Sequence, residues 1–123
     1  MRRFEMKLVE LLNAQPALQR LMAQKMPAKV AYAIAKNVKM ITPELVTYDE
    51  TRVKLLKENW ELNPKTNQYD IPDEDREKWQ KMHLELLDEE VKIDPYMIDL
   101  TALDGVELAP NEVIAIEWML KEK

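Results

Sequence analysis

The sequence predicts a mainly α-helical protein with a minor β element. The expected architecture is an antiparallel helical hairpin built on one long helix, with a small β-hairpin or short strands and a C-terminal helix. Three observations lead there. Ile34, Val38, Ile41, Leu45, Tyr48, Arg52, Leu55, Asn59 and Leu62 recur with gaps that alternate between 4 and 3, the 3.5-residue spacing that keeps one stripe of a helix turned toward a partner helix. A second, shorter stripe, Trp79, Met82 and Leu86, follows after a turn-like segment. Finally, the chain holds a single glycine, Gly105, which argues against an all-β fold and against a glycine-rich phosphate loop.

Residues 5–26 read as one or two short helices, since Met6, Val9, Leu12, Leu18, Leu21 and Met22 keep helical spacing. Pro16 marks a boundary or a first-turn position there. Pro27 suits the first turn of the long helix, where a missing N–H does no harm. Thr42-Pro43-Glu44 looks like a fresh helix start, with a hydroxyl N-cap and proline behind it. The 4-3 rhythm nevertheless passes through it in phase, and Pro43 falls on the side away from the seam. A bent but continuous helix is therefore expected.

Asn63-Pro64-Lys65-Thr66-Asn67 is turn chemistry flanked by Trp60, Leu62, Tyr69 and Ile71 with strand-like alternation, which predicts a small hairpin or an extended loop. Asp73, Glu74 and Asp75 then load the start of a second helix with acid. This helix should return antiparallel along residues 45–62. Further on, Val91, Ile93, Val106 and Leu108 sit in β-like runs, and Asp94-Pro95 resembles a helix cap. Ala109-Pro110-Asn111-Glu112 begins a final helix, with Leu108 and Val113 spaced as a hydrophobic staple. That helix is apolar on more than one side, so it must bury itself against the 28–41 region, the N-terminal segment or another subunit. A homo-oligomer is expected on this ground and on Trp118.

The 123 residues make one domain, 1–123, with 46% hydrophobic and 33% charged residues, the balance of a folded chain. No cysteine is present, so thiolate chemistry and disulfides are absent. The net charge of −5 makes nucleic acid an unfavoured partner, because phosphate neutralisation needs a basic excess. Charges at Glu5, Lys7 and Glu10 break up the N-terminus, so neither a signal peptide nor a membrane span is expected.

No catalytic constellation stands out. Serine and cysteine are absent and His83 is the only histidine, which leaves no nucleophilic triad, and a non-enzymatic protein is expected. Asp70, Asp73, Glu74 and Asp75 lack the glycine and spacing of a calcium loop, so no metal and no cofactor is expected. Candidate binding residues are Arg52 and Asn59, polar where the seam should be apolar, and the seam-adjacent His83. Polar seam positions set register; alternatively they form a pocket in which Arg52 forks an anion. The eight methionines serve either as core or as an adaptable binding surface.

The run Met26-Pro27-Ala28-Lys29-Val30-Ala31-Tyr32-Ala33-Ile34-Ala35-Lys36-Asn37 resembles a family of small phage and prophage proteins of unknown function. So do Pro43-Glu44-Leu45, Tyr48-Asp49-Glu50-Thr51-Arg52, Arg76-Glu77-Lys78-Trp79 and Leu86-Leu87-Asp88-Glu89-Glu90-Val91. The resemblance implies viral origin, a prefoldin-like helical hairpin and a place in the cytoplasm of the infected bacterial host. It carries no catalytic residues. Two functions are compatible with it: an interaction or oligomerisation protein used in virion assembly or host contact, or a counter-defence protein that sequesters a host protein or a small nucleotide signal.

Overall fold

A computed structural model describes residues 4–121, and its architecture is mainly α with short strands. Strand β1 (Phe4–Lys7) leads into α1 (Leu8–Met22) and the long α2 (Ala28–Asn59). A two-stranded hairpin, β2 (Leu62–Asn63) and β3 (Gln68–Tyr69), precedes a 3-10 turn and α3 (Arg76–Leu87). The remainder is β4 (Glu90–Ile93), β5 (Ile98–Asp99), α4 (Pro110–Ile116) and β6 (Leu120–Lys121). No described helix is long and apolar enough to cross a membrane.

Helix α2 runs unbroken through Pro43 for 32 residues, about 48 Å at 1.5 Å per residue. An interior proline costs about 3 kcal/mol, so packing on either side of the site must offset it. Pro43 itself is exposed and takes no core position. The neighbouring Thr42 hydroxyl donates to the Val38 carbonyl (2.6 Å). The buried stripe does not keep the 3.5-residue seam, however. It follows Val30, Ile34, Asn37, Ile41, Leu45, Tyr48, half-buried Arg52 and Leu56. Those gaps run 4-3-4-4-3-4-4, wider than the 3.5-residue repeat of a left-handed coiled coil. Leu55 is thus half-buried, while Asn59 and Leu62 are exposed.

The N-terminal half of α2 is covered by α1, a partner the sequence pattern did not single out. Leu11, Leu18, Leu21, Ile34 and Ile41 are almost wholly buried, each contributing roughly 2 kcal/mol by burial. Ala14, Ala17 and Ala33 lie in the same cluster, and small side chains allow a close approach of the two helices. Pro16 is no boundary: it lies inside α1 on its exposed face. Phe4–Lys7 is a strand and not helix, pairing antiparallel with β4 so that Met6 meets Val91 and Lys7 meets Glu90. Exposed Glu5 and Lys7 alternate with buried Met6 and Leu8, a period of two that overrides the weak helical spacing. The Lys7 amide donates to the Glu10 carboxylate (3.0 Å), and α1 starts there.

Two expectations in the C-terminal third are corrected. Asp94-Pro95 starts no helix, because residues 94–97 form an irregular crossing. Of the β-like residues there, Val91 and Ile93 lie in β4, but Val106 and Leu108 lie in no strand. The crossing is held by Asn37, which is fully buried. Its side-chain carbonyl accepts the Tyr96 amide (2.7 Å) and its amide donates to the Tyr96 carbonyl (2.8 Å). One carboxamide thereby satisfies both backbone groups of Tyr96.

Helix α4 begins at Pro110 as the sequence indicates, with the Glu112 carboxylate accepting the Ala109 amide (2.9 Å). It packs on α1, the N-terminal option. Arg20 pairs with Glu112 and donates to the Glu107 carbonyl, which the Gln24 amide also reaches (2.9 Å). The Arg20 guanidinium, then the Ala109 amide, holds the Glu112 carboxyl below its ordinary value. After a further 3-10 turn, β6 pairs parallel with β5. Met119 is wholly buried, its sulfur 3.4 Å from the Asn37 amide.

Candidate functional site

The three polar residues singled out in the sequence all lie where the C-terminal half of α2 meets α3. This region forms an arm beyond the main core. Leu56 and Trp60 are buried there but stand outside the hydrophobic cluster that α1, α2 and the C-terminal segments build. The two helices run antiparallel, as expected, since Tyr48 meets His83 while Trp60 meets Trp79 further along.

The seam is a column of rings. The Tyr48 hydroxyl and His83 Nε2 are 2.6 Å apart. The His83 ring stacks on Trp79 at 5.2 Å and 8°. Trp79 meets Trp60 edge to face at 6.0 Å, a favoured aromatic geometry. At the tip, the Trp60 indole N–H donates to Asp75 (3.0 Å), which ties α2 to the start of α3. Burial, and then the Arg52 charge, lowers the His83 pKa. Burial raises the Tyr48 pKa, which Arg52 opposes and Asp49 reinforces. Both groups are therefore neutral near pH 7, and Tyr48 can donate to the histidine when the imidazole proton sits on Nδ1.

Arg52 is brought near this pair but is already engaged. It forks Asp49 one turn back at 3.2 and 2.9 Å. Asn59 stands at the outer edge, donating to the Leu55 carbonyl (2.8 Å) and accepting from Lys78 (3.1 Å). Arg52 and His83 thus share one neighbourhood, and Asn59 belongs to another. Sequence spacing alone exposes the Arg52–Asp49 pair at i,i+3. The Tyr48–His83 contact joins residues 35 apart and has no local signal.

The histidine makes the arm acid-sensitive. Because the folded pKa lies below the ordinary value of about 6.5, the unfolded chain takes up the proton first as pH falls. This contribution to stability is whole above that value and is lost as pH drops through it toward the folded pKa. We expect urea melts between pH 7.5 and 5 to show a steeper loss for the native chain than for His83→Gln. Equal slopes would contradict the assignment.

The arm exposes apolar surface. Among the described residues α3 has no fully buried side chain. Leu86 and Leu87 pack against the edge of the main core, whereas Trp79, Met82 and His83 are half-buried outside it, as are Val53 and Leu55 on α2. Leu84 is 60% exposed. Among the described residues no group of three acidic or histidine side chains converges to hold a metal ion.

A second region lies at the other end of α2, where the Tyr96 crossing separates two hollows. One, of ≈ 490 Å³, contains Lys36, Lys39 and Lys92 in its wall; the other, of ≈ 250 Å³, contains Lys29 and Lys121. Comparison with protein-family models, with curated proteins and with solved structures finds no match for this chain.

Proposed function

We propose that this chain is a non-catalytic interaction protein of phage or prophage origin, acting in the cytoplasm of the infected host. Its means of action is self-association through the α2–α3 arm. The observation that carries this reading is the incomplete closure of the arm, where Val53, Leu55, Trp79 and Met82 are only half-buried and Leu84 is exposed. Two such pairs brought together would cover these side chains as a four-helix arrangement.

A second copy suits the arm's charge better than an acidic or basic partner does. Asp49, Glu50, Arg52, Lys54, Lys57 and Glu58 on α2 mix acids with bases, and so do Arg76, Glu77, Lys78, Lys81 and Glu85 on α3. A surface of mixed sign can match its own two-fold-related copy. The viral origin and the cytoplasmic setting rest on the sequence resemblance alone.

Light scattering is expected to give a dimer at tens of micromolar. Leu84→Glu should return it to monomer and remove the rise of melting temperature with protein concentration that pairing gives the native chain, while the fold itself persists, since Leu84 is 60% exposed. A strict monomer for the native chain would overturn the reading. It would also favour the counter-defence alternative, in which the arm sequesters a host protein.

A further inference from the structure

We propose that the solvent face of α2 over residues 29–39 binds single-stranded nucleic acid through its phosphates, with one base resting on Tyr32. The net charge of −5 conceals a segregation of charge along the chain. From Leu11 to Pro43 the sequence contains no Asp or Glu, yet it carries Arg20, Lys25, Lys29, Lys36 and Lys39. The basic excess that phosphate binding needs is therefore present locally, although the whole chain lacks it. Arg20 is engaged by Glu112. Lys29, Lys36 and Lys39 are exposed and form no ion pair among the described residues.

The helix aligns these groups. At 3.6 residues per turn, Lys29, Tyr32, Lys36 and Lys39 fall within about 80° of one another, on a stripe about 15 Å long. The side of α2 that holds Val30, Ile34, Asn37 and Ile41 is buried, so the stripe rides on a support that need not reorganise on binding. Tyr32 interrupts the lysines with a ring that is 56% exposed. Its neighbours are the Tyr96 ring, edge to face at 5.8 Å, and the Lys36 ammonium, 5.7 Å from its centroid. That ammonium contact is long and ends a flexible stem, so a phosphate can draw Lys36 away and open the ring to a base. An aromatic ring among lysines suits unpaired bases, which have a free face to stack. Acidic groups set the limits of the stripe. Asp99 stands 3.8 Å from Lys121, Glu44 and Asp94 line the hollow beside Lys39, and exposed Asp49 and Glu50 follow along α2. A stiff duplex laid along the helix would meet these carboxylates, whereas a flexible strand can bend away from them.

Fluorescence anisotropy of the full chain tests this, with labelled oligothymidylate and oligouridylate too short to bridge two copies. A duplex of equal length and polyglutamate serve as competitors. Binding of either strand supports the proposal, and the tighter one identifies the sugar. Log K should fall against log salt with a slope of about −2, as three neutralised phosphates require. Lys36→Gln combined with Lys39→Gln should weaken binding about tenfold and flatten the slope to about −1. Tyr32→Ala should weaken it about fivefold or more and leave the slope unchanged, because a lost base stack releases no ions. Lys65→Glu lowers the net charge as much as the double variant does, but at the hairpin, about 30 Å beyond Lys39 along α2. It should keep binding within about twofold, since that distance exceeds the screening length. All of these positions are exposed, and unchanged melting temperatures would show that the fold is intact. The proposal is overturned if neither strand binds at about 100 µM protein in low salt, or if duplex or polyglutamate competes as well as the strand itself. It is overturned equally if the folded lysine variant or Tyr32→Ala binds like the native chain. No readout depends on oligomeric state, so failure of this face and failure of the arm are separate results.

Discussion

Asn37→Ala is expected to lower the unfolding free energy by about 3 kcal/mol. The alanine leaves the Tyr96 N–H and C=O without the partner that now meets both at 2.7 and 2.8 Å. Each buried backbone group left unsatisfied costs about 1–3 kcal/mol. The wholly buried Met119 also loses its neighbour, and a small cavity opens beside its sulfur. The part-exposed position of Tyr96 allows some relief, because a loosened crossing can reach water, and this limits the loss. Urea denaturation measures it, and amide exchange at Tyr96 should accelerate in the variant. A change under about 1 kcal/mol, the worth of one ordinary hydrogen bond, would mean that something other than Asn37 holds the crossing.

The second large effect separates two adjacent leucines. Leu56→Asp should destabilise the protein by about 3 kcal/mol or more, because it places an unpaired charge in a buried position. Leu55→Asp should cost distinctly less, since Leu55 is only half-buried and a carboxylate there can turn to water. A 3.5-residue seam demands the opposite order. Thermal or urea melts of the pair decide between the two periods, and an equal or reversed ranking would show that α2 presents a different face.

Much of this fold is legible in the sequence because its signals are local. The continuity of α2 through Pro43 followed from apolar residues staying in phase on both sides. The hairpin at 62–69 followed from Asn63 and Asn67, and Asn67 takes the left-handed backbone at φ 59° that asparagine tolerates. The start of α4 followed from Ala109-Pro110-Asn111-Glu112. What escaped depended on distant partners or on competing periods. In β1 the alternation covers only Glu5 to Leu8, too short to outweigh helical spacing until β4 lies beside it. Pro16 reads as a stop, yet its ring points to solvent and α1 continues beneath it.

The candidate sites divide the same way. Arg52 and Asn59 stand out in the sequence as exceptions to an apolar stripe, and His83 as the single histidine beside one. A coiled-coil period carries the stripe onto Asn59, whereas the wider period of the folded helix leaves Asn59 exposed. Asn37 drew no attention, because its partner Tyr96 is 59 residues away. An asparagine on a helix carries no mark of the backbone it will hold. The Tyr96 hollows likewise gather lysines from α2, β4 and β6 that no spacing rule connects.

Amide hydrogen exchange at two protein concentrations tests the central claim most directly, namely that α2 has a firmly covered half and an arm awaiting its own copy. Amides of residues 33–48 should be strongly protected at both concentrations, opening only with global unfolding. Those of residues 52–59 and of α3 should exchange faster when dilute and gain protection as concentration rises and the arms pair. Uniform protection along α2, independent of concentration, would contradict the account.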